Sequence, residues 1–419
     1  MNGLPEFRNY TPKQGHPDYR QCADQAMELA EKIIPIIVKD RELSTATRLL
    51  DARRKVTALR KMTENLWINR KRYNAGDHAL RPLYAIWTML NACNFRCTYC
   101  DNHQGEHYFD IPDPERLDTV QGKALLDRII TGTTAIYWCG GEPTMRKDLP
   151  ELLDYAWHLG FFPNMINTNG SLLHKLLQKP EWSRFLQQMD VIIVSLDGLD
   201  VAHLRELWGV KKPEQTITNL LLLRQLRQHV KFKLAVNTVI TPESIDQARD
   251  VLTLAEDLDI WFVPVPVNFK HEPNRNLLEN RDYVALAEHI IARKKAGSRI
   301  IGSPTLLKRL LFSEPYQCLT ALKPHIWSDG TIAWPCRATH NVKPATISLL
   351  DHGTFDDAYR AGSQQVNPNS FHGNASNQCG GSCAWMQNYT TARYMDGITN
   401  PVGSGFIGEV FEFAFRPGR

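Results

Sequence analysis

No apolar run in the chain reaches the roughly 20 residues that a membrane-spanning helix needs, so no transmembrane segment is expected. Met1 to Glu6 open without the basic start and apolar core of a secretory leader, and the expected location is the cytoplasm. Neither sign of charge dominates. A net charge of +4 from 49 basic and 45 acidic residues leaves no footprint for nucleic acid, and none is expected as a partner. The nine cysteines are odd in number and clustered in spacing, which weighs against a disulfide framework and for a reducing compartment. Nor does a strand-rich winged-helix pattern precede the first helices, which weighs against a built-in peptide-recognition module. What remains is a chain of 419 residues, 43% hydrophobic and 22% charged, long enough for more than one domain and an ample core.

Its most informative stretch is Cys93-Asn-Phe-Arg-Cys97-Thr-Tyr99-Cys100. Three thiolates spaced C-x3-C-x2-C on one short loop can hold three corners of a four-iron, four-sulfur cluster and leave the fourth iron open for chemistry. Zinc usually takes a C-x2-C pair with a second pair nearby, and no second pair follows in this loop. Strand-like runs near 83–90, 133–138, 161–167, 191–195, 232–240 and 260–267 alternate with helical patterns near 114–130, 149–159, 172–189, 214–228, 242–258 and 282–295. Repeated βα units with buried strands predict a parallel sheet. Trp138-Cys139-Gly140-Gly141-Glu142-Pro143 ends the second run, Asn167 the third, and Ser195-Leu196-Asp197-Gly198 the fourth. Ligand sites in parallel α/β architectures gather at this edge. Two adjacent glycines admit a ligand close to the backbone, with Glu142 as an acceptor beside them. Asn237 and residues 263–267 on the next two runs are candidates for the floor. Asp101, Asn102, His103 and Gln104 are polar candidates at the mouth, and Cys139, alternating with Trp138, is expected to point away.

The cysteine loop and the motifs after it resemble the radical S-adenosylmethionine (SAM) superfamily. That resemblance implies a partial (β/α)6 barrel within an α/β fold and a 4Fe-4S cluster on Cys93, Cys97 and Cys100, the catalytic residues. It further implies that the open iron chelates SAM and that reductive cleavage gives a 5′-deoxyadenosyl radical. Cofactor-binding residues implied by motif are Tyr99, Gly140, Gly141, Glu142, Asn167, Ser195, Asp197 and Arg205. Among these, Glu142 faces the methionine ammonium, Ser195 and Asp197 the ribose, and Arg205 the carboxylate. Glu206 stands where the family usually has glycine after that arginine. The implied electron donor is a flavodoxin- or ferredoxin-like protein, and the substrate is a peptide or a small molecule or lipid, with the reaction outcome open.

After about residue 300 the alternation stops and a second cysteine set appears: Cys318, Cys336, Cys379 and Cys383. Asp329-Gly330 between short apolar runs predicts a hairpin that brings Cys318 and Cys336 to neighbouring strands. Four soft ligands in two groups fit one complete iron–sulfur cluster, with structural zinc as the alternative. The region resembles the SPASM and Twitch auxiliary-cluster extensions. Because residues 371–377 hold no thiol, one auxiliary 4Fe-4S cluster is expected rather than two. His340 and His372 are spare ligands or solvated loop residues.

The expected domains are a helical extension over 1–80, the barrel over 81–300, a small α+β iron–sulfur domain over 301–395 and a tail over 396–419. Within the extension Cys22 is expected to be a packed thiol. Leu49, Ala52, Val56, Leu59, Met62 and Leu66 recur at helical spacing and are expected to face the barrel. Arg53, Arg54, Lys55, Arg60, Lys61, Arg70, Lys71 and Arg72 cover the rest, either as a solvated face or as a peripheral surface for anionic lipid, an acidic peptide or the electron donor. A non-catalytic iron–sulfur or zinc scaffold is the competing function, but a scaffold has no use for the residues at successive strand ends.

Overall fold

Six short β-branched segments become the strands β1 (Ala85–Thr88), β2 (Ile136–Cys139), β3 (Asn164–Thr168), β4 (Val191–Ser195), β5 (Lys233–Ile240) and β6 (Trp261–Pro266). They pair in chain order and parallel throughout, in registers that include Ala85 with Ile136, Ile136 with Asn164, Met165 with Val191, Val191 with Lys233 and Ala235 with Trp261. The structure is a computed structural model that describes residues 7–39, 45–100, 113, 116–269, 272–336, 345–368, 383–400, 404–406 and 408. Helices α3 (Thr119–Gly132), α4 (Leu149–Leu159), α8 (Glu214–Leu226) and α9 (Ile245–Asp257) connect the strands much as expected.

The single helix expected over 172–189 is broken into α5 (Leu173–Leu176), a 3-10 turn at Pro180–Trp182 and α6 (Phe185–Gln188). Pro180 lacks the N–H needed to continue a helix. A helix absent from the sequence reading, α7 (Val201–Trp208), follows β4. It starts on Asp200, whose carboxylate accepts from His203 N at 2.7 Å, and stops at Gly209 with φ +61°.

Beyond β6 come a two-stranded ribbon, β7 (Asn268–Phe269) and β8 (Glu272–Pro273), and the helices α10 (Arg275–Leu278), α11 (Arg281–Lys295) and α12 (Pro304–Leu311). The expected hairpin forms from β9 (His325–Ile326) and β10 (Thr331–Trp334), turning at Gly330 with φ +81°. Strand β9 pairs parallel with β1, and β10 pairs with β11 (Ala345–Ser348), so one nine-stranded sheet continues from the barrel into the hairpin. Cys336 follows β10 directly. Cys318 lies not on a strand but before a 3-10 turn at Thr320–Leu322. Helices α13 (Phe355–Gln365) and α14 (Met386–Thr399) complete the described chain.

The strand alternation of two separates two apolar regions. Outward residues such as Trp138, Ile166, Ile192 and Val194 join the main core under the helices. Inward residues Met165, Val191, Ile193, Ala235, Trp261 and Val263 form a separate cluster on the concave face, to which Met386 of α14 adds.

Helix α1 (Tyr19–Lys39) packs on α8 through Ala26, Ala30, Ile33 and Ile37, and Cys22 is buried with them as expected. Helix α2 (Thr45–Asn74) departs from the expectation in its first half: Leu49, Val56 and Leu59 are 65%, 68% and 46% exposed and Ala52 is exposed too, while Met62 and Leu66 do turn inward, beside Arg54, Ala58, Asn65 and Asn69. The inward side chains are held by hydrogen bonds. Arg54 donates to Phe161 O at 2.7 Å and to both oxygens of Asp190 at 2.9 Å, Asn65 donates to Gly132 O at 2.8 Å, and Asn69 pairs with the Arg81 backbone. No helix among the described residues is long and apolar enough to cross a membrane.

Candidate active site

The concave face of the sheet encloses a cavity of about 900 Å³ that runs from the C-terminal ends of the strands to their N-terminal ends. Its upper end carries Cys93, Cys97 and Cys100 with Gly140, Gly141 and Glu142, and Asn167, Ser195 and Asn237 follow on β3, β4 and β5. Residues from five separate segments are thus brought to one place.

The cysteine loop is seated by backbone pairing. Arg96 N donates to Trp208 O at 2.8 Å and Thr98 N to Leu207 O at 3.0 Å, while Phe95 packs on the Trp208 ring. Helix α7 is therefore the loop's platform, and a Cβ at Gly209 would stand 2.9 Å from Arg96. The other support is the glycine turn after β2. Gly141 N donates to Leu90 O at 2.9 Å and Glu142 N to Ala92 O at 2.8 Å. A Cβ at Gly141 would lie 2.1 Å from Ala92 O, so this glycine serves the close approach of two loops rather than of a ligand.

Burial is the main influence on the thiols. It pushes Cys93 up to about 12, opposed by the Phe95 N–H that donates to its sulfur at 3.3 Å, and it drives Cys97 well above the ordinary value. Neutral buried thiols close to one another ionise when a cationic centre offsets the charge, so the set suits iron. All three line one cavity end, and no fourth cysteine ligand is supplied by the loop.

Glu142 lines the same end, fully buried. Its Oε1 accepts from Thr144 N at 3.0 Å, from the Thr144 hydroxyl and from Thr168 Oγ1 at 2.6 Å, and its Oε2 accepts from Asn169 N at 2.7 Å. Burial raises its proton affinity and these four donors lower it. The carboxylate braces the end of β2 against the end of β3.

Asn169 extends the brace, donating to Asn94 Oδ1 in the cysteine loop at 2.8 Å. Asn167 Oδ1, by contrast, is buried without a hydrogen-bond partner in this lining. Such an unmatched acceptor fits a bound donor group.

Two motif residues stand elsewhere than expected. Strand β4 ends at Ser195, so its alternation stops there: Ser195 lines the cavity and Asp197 does not. Asp197 is fully buried, accepting from Val239 N at 2.8 Å and from Trp208 Nε1 at 2.6 Å as well as from the Tyr99 hydroxyl. Arg205 is on the exposed side of α7, since Leu204 and Trp208 occupy the inward positions, and its Nε donates to Lys211 O at 3.3 Å. Neither is a cavity residue.

Cys139 also departs from expectation: it lines the cavity, 3.7 Å from Thr88 Oγ1, while Trp138 turns outward into the core. Asn237, Val263, Val265, Pro266 and Val267 line it as expected, whereas Pro264, of the same run, does not.

Cys318, Cys336 and Cys383 of the second cysteine set are buried and stand outside the cavity lining. Cys336 and Cys383 pack together with Trp385, and Tyr316, close to both Cys318 and Cys383, donates its hydroxyl to Cys383 O at 3.2 Å. Asn388 Nδ2 donates to Cys383 Sγ at 3.1 Å, the kind of donor that suits a thiolate. Cys379, His340, His372 and Asp101 to Gln104 fall outside the described residues.

Sequence reading missed several residues here. His325 bonds Thr88 Oγ1 at 2.8 Å and lies at a tilt against Trp385, so the hairpin contributes to the cavity wall. Arg146 is a buried cation that donates to Met89 O and Leu117 O at 3.0 Å, holding the approach to the cysteine loop. The signal for α7 was present as Asp200 and Gly209 bracketing an amphipathic octet.

Residues 87–255 match the family described as "Radical SAM superfamily". Over 117 residues the chain is 38% identical to an Fe-coproporphyrin III synthase of Methanosarcina barkeri (strain Fusaro / DSM 804), covering 27% of each chain. It is 29% identical to an S-adenosylmethionine-dependent nucleotide dehydratase of Selenomonas ruminantium, over 47% of this chain and 71% of that one. An AdoMet-dependent heme synthase of Oleidesulfovibrio alaskensis is 30% identical over 47% of this chain and 49% of its own. The matches thus span between 27% and 71% of these curated relatives. Among solved structures, Streptococcus suis SuiB bound to precursor peptide SuiA superposes with a TM-score of 0.54 at 20% identity, covering 74% of this chain and 71% of that one. The fold is shared with that protein.

Proposed function

From the match of residues 87–255 to the radical SAM superfamily, we propose that the chain is a radical SAM enzyme whose catalytic cluster is held by Cys93, Cys97 and Cys100. When bound, the cluster and SAM supply a 5′-deoxyadenosyl radical that takes hydrogen from an unactivated carbon. The observation that carries this reading is the gathering of the three thiols with Glu142, Asn167, Ser195 and Asn237 at one end of one cavity. Asn167 Oδ1 and Ser195 are the polar groups offered to SAM. Glu142, Asp197 and Tyr99 hold the cysteine loop and the strand ends in place. Gly140 and Gly141 keep the turn close to that loop.

A second cluster on Cys318, Cys336, Cys379 and Cys383 belongs to the same proposal, within an auxiliary region over 301–395 that follows the barrel of 81–300. The packing of Cys336 on Cys383, with Tyr316 bridging toward Cys318, supports it for the three thiols among the described residues. A flavodoxin- or ferredoxin-like protein is the proposed electron donor. Curated relatives bear names of synthases and a dehydratase, so the reaction outcome stays open among radical chemistries.

Anaerobic reconstitution with iron and sulfide, then incubation with SAM and reductant, tests the reading. 5′-Deoxyadenosine should form with the native chain and not with a variant carrying Cys93→Ala, Cys97→Ala and Cys100→Ala. Equal product from both would remove the assignment.

A further inference from the structure

Helix α2 crosses the edge of the sheet where the strands begin. Its inward side chains bond the chain just ahead of each of β1 to β4: Arg54 meets Asp190 before β4 and Phe161 O before β3, Asn65 meets Gly132 O before β2, and Asn69 meets Arg81 before β1. The helix therefore straps the end of the barrel opposite the cysteines, and its other face points away from the sheet.

That outer face carries apolar residues where a helix packed on a barrel is ordinarily polar. The exposed side chains of Leu49, Val56, Leu59 and Trp67 recur at helical spacing, with Ala52 and Thr63 between them, in one stripe. From Leu49 to Trp67 the stripe runs about 27 Å. Val38, near the end of α1, is exposed as well, and the carbonyl of its neighbour Ile37 accepts from Gln187 ahead of β4 at 3.0 Å. Arg53, Arg60 and Lys71 recur along one edge of the stripe and Arg70 stands on the other edge near its end. All four are exposed, and the Lys71 ammonium lies 3.6 Å from the centre of the Trp67 ring. The acids of the helix are already engaged, Asp51 by Arg54 and Lys55 and Glu64 by Arg81. The face is thus basic as well as apolar.

We propose that this face of α2 seats the protein on an anionic lipid surface, with Leu49, Val56, Leu59 and Trp67 entering the headgroup boundary and Arg53, Arg60, Arg70 and Lys71 meeting the lipid anions. A stripe of aliphatic side chains and tryptophan bordered by cations is what an interfacial helix presents, the long basic stems carrying their charge outward while the apolar part is covered. Charge opposes a second copy of the face as the cover, since cation would meet cation and the acids on both helices are already paired. An acidic electron-transfer protein has to approach the iron, and the cysteines stand at the far end of the cavity from Lys55 and Met62, the α2 residues in its lining. The lipid site itself does not rest on the radical reading; only the exclusion of an electron donor does.

The test is co-sedimentation of the reconstituted chain with sucrose-loaded vesicles, either of phosphatidylcholine alone or of phosphatidylcholine with about 30 mol% phosphatidylserine. The chain should bind the anionic vesicles about tenfold or more tightly than the neutral ones, and raising the salt from about 0.1 M to about 0.5 M should remove most of that preference. Replacing Arg53, Arg60 and Arg70 together by Gln should weaken anionic binding by about tenfold or more. Val56→Ser combined with Trp67→Ser should weaken it by about tenfold with the charge unchanged. Both variants alter exposed side chains only, and circular dichroism with iron content checks their folding; should one fold poorly, the other carries the test. Vesicle binding without preference for the anionic lipid, or binding that survives both variants, would overturn the proposal. So would binding lost in the arginine variant alone and matched on soluble polyglutamate, which assigns the face to an acidic protein. A native dimer in sedimentation velocity that the serine variant dissociates would assign the face to a second copy and overturn it too. SAM cleavage without vesicle binding removes this inference alone, and vesicle binding without SAM cleavage removes only the radical reading.

Discussion

Tyr99, the residue before Cys100, donates its hydroxyl to the buried carboxylate of Asp197 beyond the end of β4. The same carboxylate holds Trp208 and Val239, so one acid joins the cysteine loop, α7 and β5. Tyr99→Phe leaves Asp197 short of one donor and should destabilise the fold by about 1–3 kcal/mol. Denaturant unfolding of the iron-free chain measures it. A loss indistinguishable from zero would mean that the loop is held by its backbone pairing to α7 alone.

Glu142 makes a parallel case. Its removal strands four donors from Thr144, Thr168 and Asn169, and Glu142→Ala should cost about 3 kcal/mol in stability before any cofactor is bound. Glu142→Gln, which keeps an acceptor oxygen, should recover part of that loss. If the alanine variant is as stable as the native chain yet binds SAM poorly, the carboxylate serves the cofactor rather than the brace.

On the opposite edge of the sheet, Arg54 is a buried guanidinium shared between Asp190, Asp51 and the Phe161 carbonyl and lying over the Trp157 and Phe162 rings. Asp190 is largely enclosed, its side chain 14% exposed, and burial raises its proton affinity against the pull of Arg54. Arg54→Met removes the compensating charge and should cost about 3–5 kcal/mol. Combining it with Asp190→Asn should restore much of the loss, as a double-mutant cycle would register.

The segment before α1 is clamped through His16, which meets Tyr10 on one side and Asp250 at 3.7 Å on the other, with Lys13 on the same carboxylate at 2.6 Å. Burial lowers the affinity of His16 for a proton below its ordinary 6.5; Lys13 acts in the same sense, and Asp250 and Asp200 oppose it. The unfolded chain therefore binds the proton more readily. This contribution to stability is complete above pH about 6.5 and falls away as the pH drops below it toward the lowered folded value. Amide protection factors in residues 7–18, with the intrinsic pH dependence of exchange divided out, should fall on acidification from about pH 7 to 5, and His16→Gln should flatten the change. Protection factors independent of pH in the native chain would contradict it.

Much of the barrel was legible because buried parallel strands write continuous β-branched runs. Val191–Ser195 and Leu149–Leu159 match their expected bounds. Helix α2 was not, since its apolar spacing is real but its burial is decided by what Arg54, Asn65 and Asn69 find on the barrel, and those partners are over 60 residues away for Arg54 and Asn65. The cysteine loop and its neighbours at the strand ends could be picked out from spacing and position. The separation of Ser195 from Asp197, and of the exposed Arg205 from the cavity, could not, because both depend on where a strand or helix stops. The cavity is likewise invisible in one dimension, because its lining is drawn from all six strands of the barrel.

The central claim is that the iron held by Cys93, Cys97 and Cys100 keeps an open position for SAM. The most direct measurement is the electron paramagnetic resonance spectrum of the reduced variant in which Cys318, Cys336, Cys379 and Cys383 are all Ala, recorded with and without SAM. About four irons per chain should remain, and SAM should change the spectrum of that single cluster. A cluster of full strength whose spectrum is indifferent to SAM would contradict the account.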